Sequence, residues 1–121
     1  MYRKLKVYEK SYRAGLATYE LTKEYPKEEK YGITSQMRRA STSIPLNIAE
    51  GYAKRSSQEE FKRFLLMAIG SASEMSVLLE YSKDLGYMSQ ERYEKAVREY
   101  DEIGKMLSSL IKKVAENKSK I

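Results

Sequence analysis

The chain contains four successive runs in which apolar residues recur at steps of three and four, with little between them to bend a backbone. That spacing marks one face of a helix, and no run shows the period of two that a half-buried strand needs. Of 121 residues, two are proline and six are glycine. Long periodic runs with few breaks leave a small number of long helices as the consistent fold.

The first run is Leu5, Tyr8, Tyr12, Leu16 and Tyr19, and it ends near Tyr25-Pro26, where the residue before proline disfavours helix. Its apolar stripe is expected to face a core or an interface. A charged loop follows to Gly32. The second run is Ile33, Met37, Ala40, Ile44 and Ile48, with Thr34 or Ser35 as the expected cap. Gly51 is expected to close this helix in a left-handed turn. The third opens on Ser57-Gln58-Glu59-Glu60, a capping-box pattern, continues through Phe61, Leu65, Ala68, Ala72, Met75 and Leu79, and stops at Leu85-Gly86. The fourth starts near Ser89 and runs through Ala96, Tyr100, Ile103, Leu107, Leu110 and Val114 at heptad-like steps. Short connections make neighbours antiparallel. The expectation is an all-α, antiparallel up-down-up-down four-helix bundle, one domain over residues 1–121.

Within the second run, Ser43-Ile44-Pro45-Leu46-Asn47-Ile48-Ala49-Glu50-Gly51 places a proline in a helix body and an amide beside the apolar stripe. Pro45 cannot donate to the Ser41 carbonyl, so a kink or local widening is expected, with the Ser41, Thr42 and Ser43 hydroxyls nearby. Asn47 is expected to hydrogen-bond across to Ser71 or Ser73 on the third helix and fix register, the best-attested use of a buried polar group. Small residues at Gly70-Ser71-Ala72-Ser73 would let the two backbones approach. Glu50 then reads as a helix-end carboxylate. The competing reading makes Asn47 and Glu50 a ligand-binding or catalytic pair.

The sequence has no histidine and no cysteine, which removes the commonest general base, thiolate chemistry and disulfides. There is no glycine-rich phosphate loop and no nucleophile elbow. Glu50 and Glu74 could hold a hard cation only if their helices face each other, and two carboxylates are a weak signal. The chain is therefore read as a non-enzyme without a cofactor. No apolar run approaches the roughly 20 residues of a membrane span, and no signal-peptide core follows the basic start, so a cytoplasmic protein off the membrane is expected.

Formal net charge is +6. Residues 56–87 are acidic on balance, and the remaining stretches are basic. An up-down-up-down bundle brings the chain start, the second turn and the chain end to one pole. Arg3, Lys4 and Lys6 would meet Lys54, Arg55, Lys62 and Arg63, and also Lys112, Lys113, Lys118 and Lys120. Such a pole attracts phosphate backbones in a salt-dependent way. Lysines at a helix C-terminus also complement the helix dipole without any ligand. Tyr2 and Tyr52, near this pole, are the candidate base-stacking rings, whereas Tyr8, Tyr12, Tyr19 and Tyr100 are assigned to core or interface. Apolar residues beyond one stripe per helix (Val7, Leu46, Leu66, Ile69, Val77, Leu78, Val97 and Ile111) suggest a buried subunit contact.

Gln36-Met37-Arg38-Arg39-Ala40, Ser43 to Gly51, Phe61, Phe64-Leu65 and Gly70-Ser71-Ala72-Ser73-Glu74 together resemble the bacterial four-helix-bundle family encoded in intervening sequences of 23S rRNA genes. Tyr19-Glu20-Leu21-Thr22 with Tyr25-Pro26 is similar to that family's first helix, so the resemblance covers nearly the whole chain. It implies a four-helix bundle assembled as a homopentameric ring. It also implies kinship in fold with the accessory protein of diversity-generating retroelements, which binds nucleic acid and a reverse transcriptase. It carries no agreed catalytic residues. The functional expectation is a non-catalytic, oligomeric protein that binds nucleic acid, structured RNA in preference to DNA, through backbone contacts. The alternative is a scaffold or accessory subunit docking a protein partner.

Overall fold

The structure is a computed structural model and describes residues 1–116. A short 3-10 turn at Tyr2–Lys4 leads into α1, Lys6–Thr22. A second 3-10 turn, Lys27–Glu29, precedes α2, Ile33–Ala53. Then come α3, Gln58–Asp84, and α4, Gln90–Glu116. No strand occurs among the described residues.

Cross-helix contacts give the direction of each neighbour. Arg38 near the start of α2 donates to Thr22 at the end of α1. Ser82 at the end of α3 touches Met37 at the start of α2, and Ser71 meets Ser43 halfway along. Gln58 opens α3 against the Val114 carbonyl near the end of α4. Lys10 on α1 reaches Glu99 and Glu102 on α4. Each pair runs in opposite senses, as an up-down-up-down bundle requires.

Local chemistry fixes the helix ends. The Ser57 hydroxyl accepts from the Glu60 amide at 3.2 Å, so half of the expected capping box forms. Glu60 does not reach back, because its carboxylate is engaged by Arg63 at 3.0 and 3.1 Å. Ser89 caps α4 through the Arg92 amide. The cap of α2 differs from expectation. Thr34 is buried inside the first turn, and neither it nor Ser35 caps the helix. Glu29, one turn upstream, accepts from the Ile33 amide at 3.2 Å instead. Gly51 also has another role than the expected one. It lies within α2 with ordinary helical backbone, and a Cβ there would come within 2.9 Å of Phe64 Cβ. Its missing side chain lets α2 and α3 close together. The left-handed closing glycine is Gly86, at φ 83° after α3.

Met37, Ile44, Ile48, Leu65, Ala68, Met75, Ile103 and Leu107 form the fully buried centre. The second, third and fourth runs point inward as their spacing predicts. The first does not. Tyr12, Leu16 and Tyr19 are 49%, 55% and 41% exposed, and Tyr8 is half-buried. The core face of α1 is built instead from Val7, Ser11, Ala14, Gly15, Thr18 and Thr22. Small side chains let α1 sit close to the bundle. The Thr18 hydroxyl bonds the Ala14 carbonyl at 3.0 Å and the Tyr100 hydroxyl at 2.8 Å, so these polar groups are satisfied inside. Of the apolar residues beyond one stripe, Val7 and Leu78 belong to the core. Ile69, Val97 and Ile111 pack partly against it, while Leu46, Leu66 and Val77 stand in solvent.

Pro45 sits inside an uninterrupted α2. Asn47 does not cross to the third helix. Its amide donates to the Ser43 carbonyl at 2.8 Å and to the Ser43 hydroxyl at 3.0 Å, both within its own helix. The crossing bond is made by Ser43, whose hydroxyl meets that of Ser71 at 3.0 Å. Asn47 thus supports the lock from behind. Ser73 points to solvent, Gly70 faces open space, and Glu50 is exposed.

By length and composition alone, α3 is apolar enough to cross a membrane, with a mean hydropathy of 1.3 over its 18-residue window. Unbroken-run counting missed this because Glu74 and Glu80 interrupt the apolar residues. The helix is apolar on two opposite faces. One packs against α2 and α4, and the other carries exposed Leu66, Val77 and Tyr81.

Candidate nucleic-acid interface

Two hydrogen bonds gather three parts of the chain at one pole. The Met1 ammonium donates to the Tyr52 hydroxyl at 2.7 Å, which ties the chain start to the end of α2. The Gln58 amide, donating to the Val114 carbonyl, ties the start of α3 to the last turn of α4. The described segments that carry the expected cations therefore meet at one pole. Lys118 and Lys120 lie outside the described residues.

The cations form two clusters. At the turn from α2 to α3, Lys54 and Arg63 both lie over the Phe64 ring, at 4.8 and 4.5 Å from its centroid. Arg55 lies over Tyr52 at 4.1 Å and donates to the Tyr52 carbonyl at 2.9 Å. Stacking on a ring face orients a cation while leaving edge N–H groups for an anion. Lys62 is exposed beside them. Glu60 accepts both bonds from Arg63, which lowers the Glu60 pKa and keeps Arg63 charged. Glu50 adds a weaker field in the same direction. Arg63 is thus the most locally neutralised cation of this cluster.

The second cluster surrounds a cavity of about 410 Å³ between α1 and α4, where Lys4, Lys6, Lys105 and Lys113 ring Leu5, Met106 and Leu110. Lys112 is exposed on the same last turns of α4. Lys105 was not expected from sequence. Its signal was present, since it precedes Lys112 by seven residues and so shares its helix face. Arg3 stacks on Tyr2 at 4.9 Å.

The two candidate base-stacking rings are already engaged. Tyr2 holds Arg3 and packs edge-on to Tyr8 at 4.9 Å, while Tyr52 holds Arg55 and packs edge-on to Phe61 at 6.2 Å. The pole therefore offers charge and N–H donors rather than free ring faces. Asn47, Ser71 and Ser73 are not brought to it, and Glu50 lies on the α2 end as a carboxylate. Glu50 and Glu74 belong to no cluster of three or more potential metal ligands among the described residues.

The opposite pole is organised differently. Glu29 accepts from the Tyr87 hydroxyl at 2.7 Å, and this contact raises the Tyr87 pKa. Arg92 faces Glu24 at 3.4 Å, and Lys83 faces Asp84 at 3.5 Å. Arg92 and Glu24 thus pair between distant segments and Lys83 and Asp84 within the end of α3, so charge there is not collected in one sign.

Comparison with known proteins supports the architecture. Residues 3–109 match the model of the 23S rRNA-intervening sequence protein family. A crystal structure of a protein of unknown function from the S23 ribosomal protein family of Bacteroides thetaiotaomicron superposes with a TM-score of 0.80 at 32% identity. The match covers 88% of this chain and 95% of that one. No curated protein matches significantly. With the family match spanning most of the sequence and the four-helix architecture in agreement, the chain belongs to the 23S rRNA-intervening sequence protein family.

Proposed function

We infer that the protein is a non-catalytic nucleic-acid-binding protein whose basic pole grips phosphate backbone, structured RNA being the favoured ligand. The observation that supports this reading is the convergence of the chain start, the α2–α3 turn and the α4 end through the Met1–Tyr52 and Gln58–Val114 bonds. Cations held on rings are preoriented, so less side-chain freedom is lost when a phosphate binds. With Tyr2 and Tyr52 occupied, contacts fall on the backbone and carry little sequence preference. The test compares two quadruple variants. Removing Lys54, Arg55, Lys112 and Lys113 by alanine should weaken binding of a hairpin RNA at least about tenfold, since each phosphate contact contributes to affinity. Removing Lys23, Lys27, Lys30 and Arg92 at the other pole should not. Equal binding by all three proteins would refute the reading.

A second element of the proposal is self-association, supported by two unpartnered apolar faces. Tyr12, Leu16 and Tyr19 of α1 with Pro45 and Leu46 of α2 line a groove of about 320 Å³. Leu66, Val77 and Tyr81 form the outward ridge of α3. A ridge of one copy seated in the groove of the next makes a heterologous contact, which closes into a ring when the rotation allows. Five subunits is the order the family resemblance implies. Parallel subunits would repeat the basic pole around the ring. A protein-docking role remains the alternative for the same exposed faces.

A further inference from the structure

The seam between α1 and α4 is the least extensive of the bundle's four helix–helix contacts. Along it lies a cavity of about 660 Å³ that shares Lys6, Glu102 and Met106 with the smaller cavity at the basic pole. The two form one trough, following α1 from Leu5 to Leu21. Sixteen helical residues span about 24 Å, some four turns of a helix and longer than a compact metabolite.

The floor is apolar and shallow-sided, with Ala17, Ala96, Leu21 and Met106 still wholly or partly in solvent. Alanines on both walls leave room for another backbone. The polar atoms beneath are spoken for, since the Tyr100 hydroxyl bonds Thr18 and the Ala14 carbonyl at 2.8 and 3.1 Å. The floor thus offers apolar contact and no orienting donor, which suits a stripe of side chains more than a polar small molecule.

The rim supplies the sign. Glu9 is engaged by Arg13 at 3.1 Å, while Glu99 and Glu102 both hold Lys10, whose pKa the Glu99 contact raises. Lys4, Lys6, Lys95 and Lys105 enter no ion pair among the described residues. Unpaired lysines over an apolar floor are complementary to a helix with one apolar stripe and carboxylates on its flanks. The chain's own last residues, Asn117 to Ile121, carry two lysines and no acid, the wrong sign for this rim. Nucleic acid would gain little from an alanine floor.

We propose that the α1–α4 trough docks an acidic amphipathic helix of a partner protein. The site is separate from the α1–α2 groove, and of the trough's lysines the RNA test removes only Lys113, while Lys95 lies outside the basic pole, so the two readings fail separately. The probe is a synthetic four-turn peptide with leucines at i, i+3, i+4 and i+7 and glutamates on both flanks, its twin carrying lysines in place of the glutamates. Fluorescence anisotropy with the full chain should show saturable binding of the acidic peptide and none of its twin. Ala17→Trp, which fills the exposed floor, should abolish binding. Lys95→Glu with Lys105→Glu should weaken the acidic peptide about tenfold and admit the twin, because rim charges set partner choice. All three substituted positions are exposed, and circular dichroism checks that the variants fold. No binding, equal binding of both peptides, or indifference to Ala17→Trp overturns the proposal. So does loss of self-association in the Lys95→Glu, Lys105→Glu variant, or loss of RNA binding in Lys95→Glu alone, since either result assigns the trough to another occupant.

Discussion

Helices α1 and α2 carry apolar stripes with the same spacing, and the bundle treats them oppositely. In α2 the stripe of Met37, Ala40, Ile44 and Ile48 is buried against α3, where Gly51 lets the backbones close. In α1 the larger stripe of Tyr12, Leu16 and Tyr19 faces out, and the inward face beyond Val7 is made of serine, alanine, glycine and threonine. Spacing shows that a stripe exists. Side-chain size against the available gap decides which way it turns. Where a helix must lie close to two neighbours, small residues with satisfied hydroxyls fit, and bulky amphipathic rings are left for a later partner.

This contrast can be tested by removing matched side chains. Ile48→Ala should lower unfolding free energy by about 3 kcal/mol in urea denaturation, as expected for a fully buried aliphatic truncated in a packed core. Leu16→Ala should change it by less than about 0.5 kcal/mol under conditions that keep the chain monomeric. Comparable losses at both positions would mean that the α1 stripe is core after all.

The polar side of α1 has its own signature. Burial pushes the Tyr100 phenol up to about 12, against the opposing pull of the Thr18 and Ser41 hydroxyls. A phenol raised in the folded state stabilises fully below its unfolded pKa of about 10 and loses that contribution as pH climbs through the folded value. Unfolding free energy should therefore fall by about 2–3 kcal/mol between pH 10 and 12 from this residue, and Tyr100→Phe should flatten that slope. An unchanged alkaline slope in the variant would show that the Thr18–Tyr100 contact is not buried.

The outward stripe should matter for assembly instead of folding. Leu16→Asp with Leu46→Asp should leave the helical signal and reduce the mass seen by light scattering. Retained mass would exclude the α1–α2 groove as a subunit contact.

The smallest effect separates Asn47 from its neighbour. A double-mutant cycle should give about 0.5–1 kcal/mol of coupling between Ser43 and Ser71 and almost none between Asn47 and Ser71, because the amide bonds only within α2.

Much of this architecture could be read from residue order. Four periodic runs, Ser57 as a cap, Ser89 as a start and Gly86 as a stop are local facts, and local rules found them. Convergence of cations at one pole followed from topology alone. What escaped was the outcome of competition between neighbours. Glu29 displaced Thr34 and Ser35 as cap because it arrives from a loop whose path is set by packing. Ser43 took the crossing bond expected of Asn47 because Ser71 lies level with Ser43, one helical turn before Asn47. The rings of Tyr2 and Tyr52 were candidate platforms until Arg3 and Arg55 were found lying on them. Lys105 was legible from its seven-residue offset to Lys112, yet only the open α1–α4 seam gives it a role.

The claim that the basic pole grips a phosphate backbone is tested most directly by hairpin-RNA affinity measured across a salt series. Wild type should weaken linearly on logarithmic axes, and replacing Lys54, Arg55, Lys112 and Lys113 with alanine should reduce the slope by about 3, roughly 0.7–0.9 for each of four lost phosphate contacts. Parallel lines for the two proteins, or an affinity that salt does not touch, would contradict it.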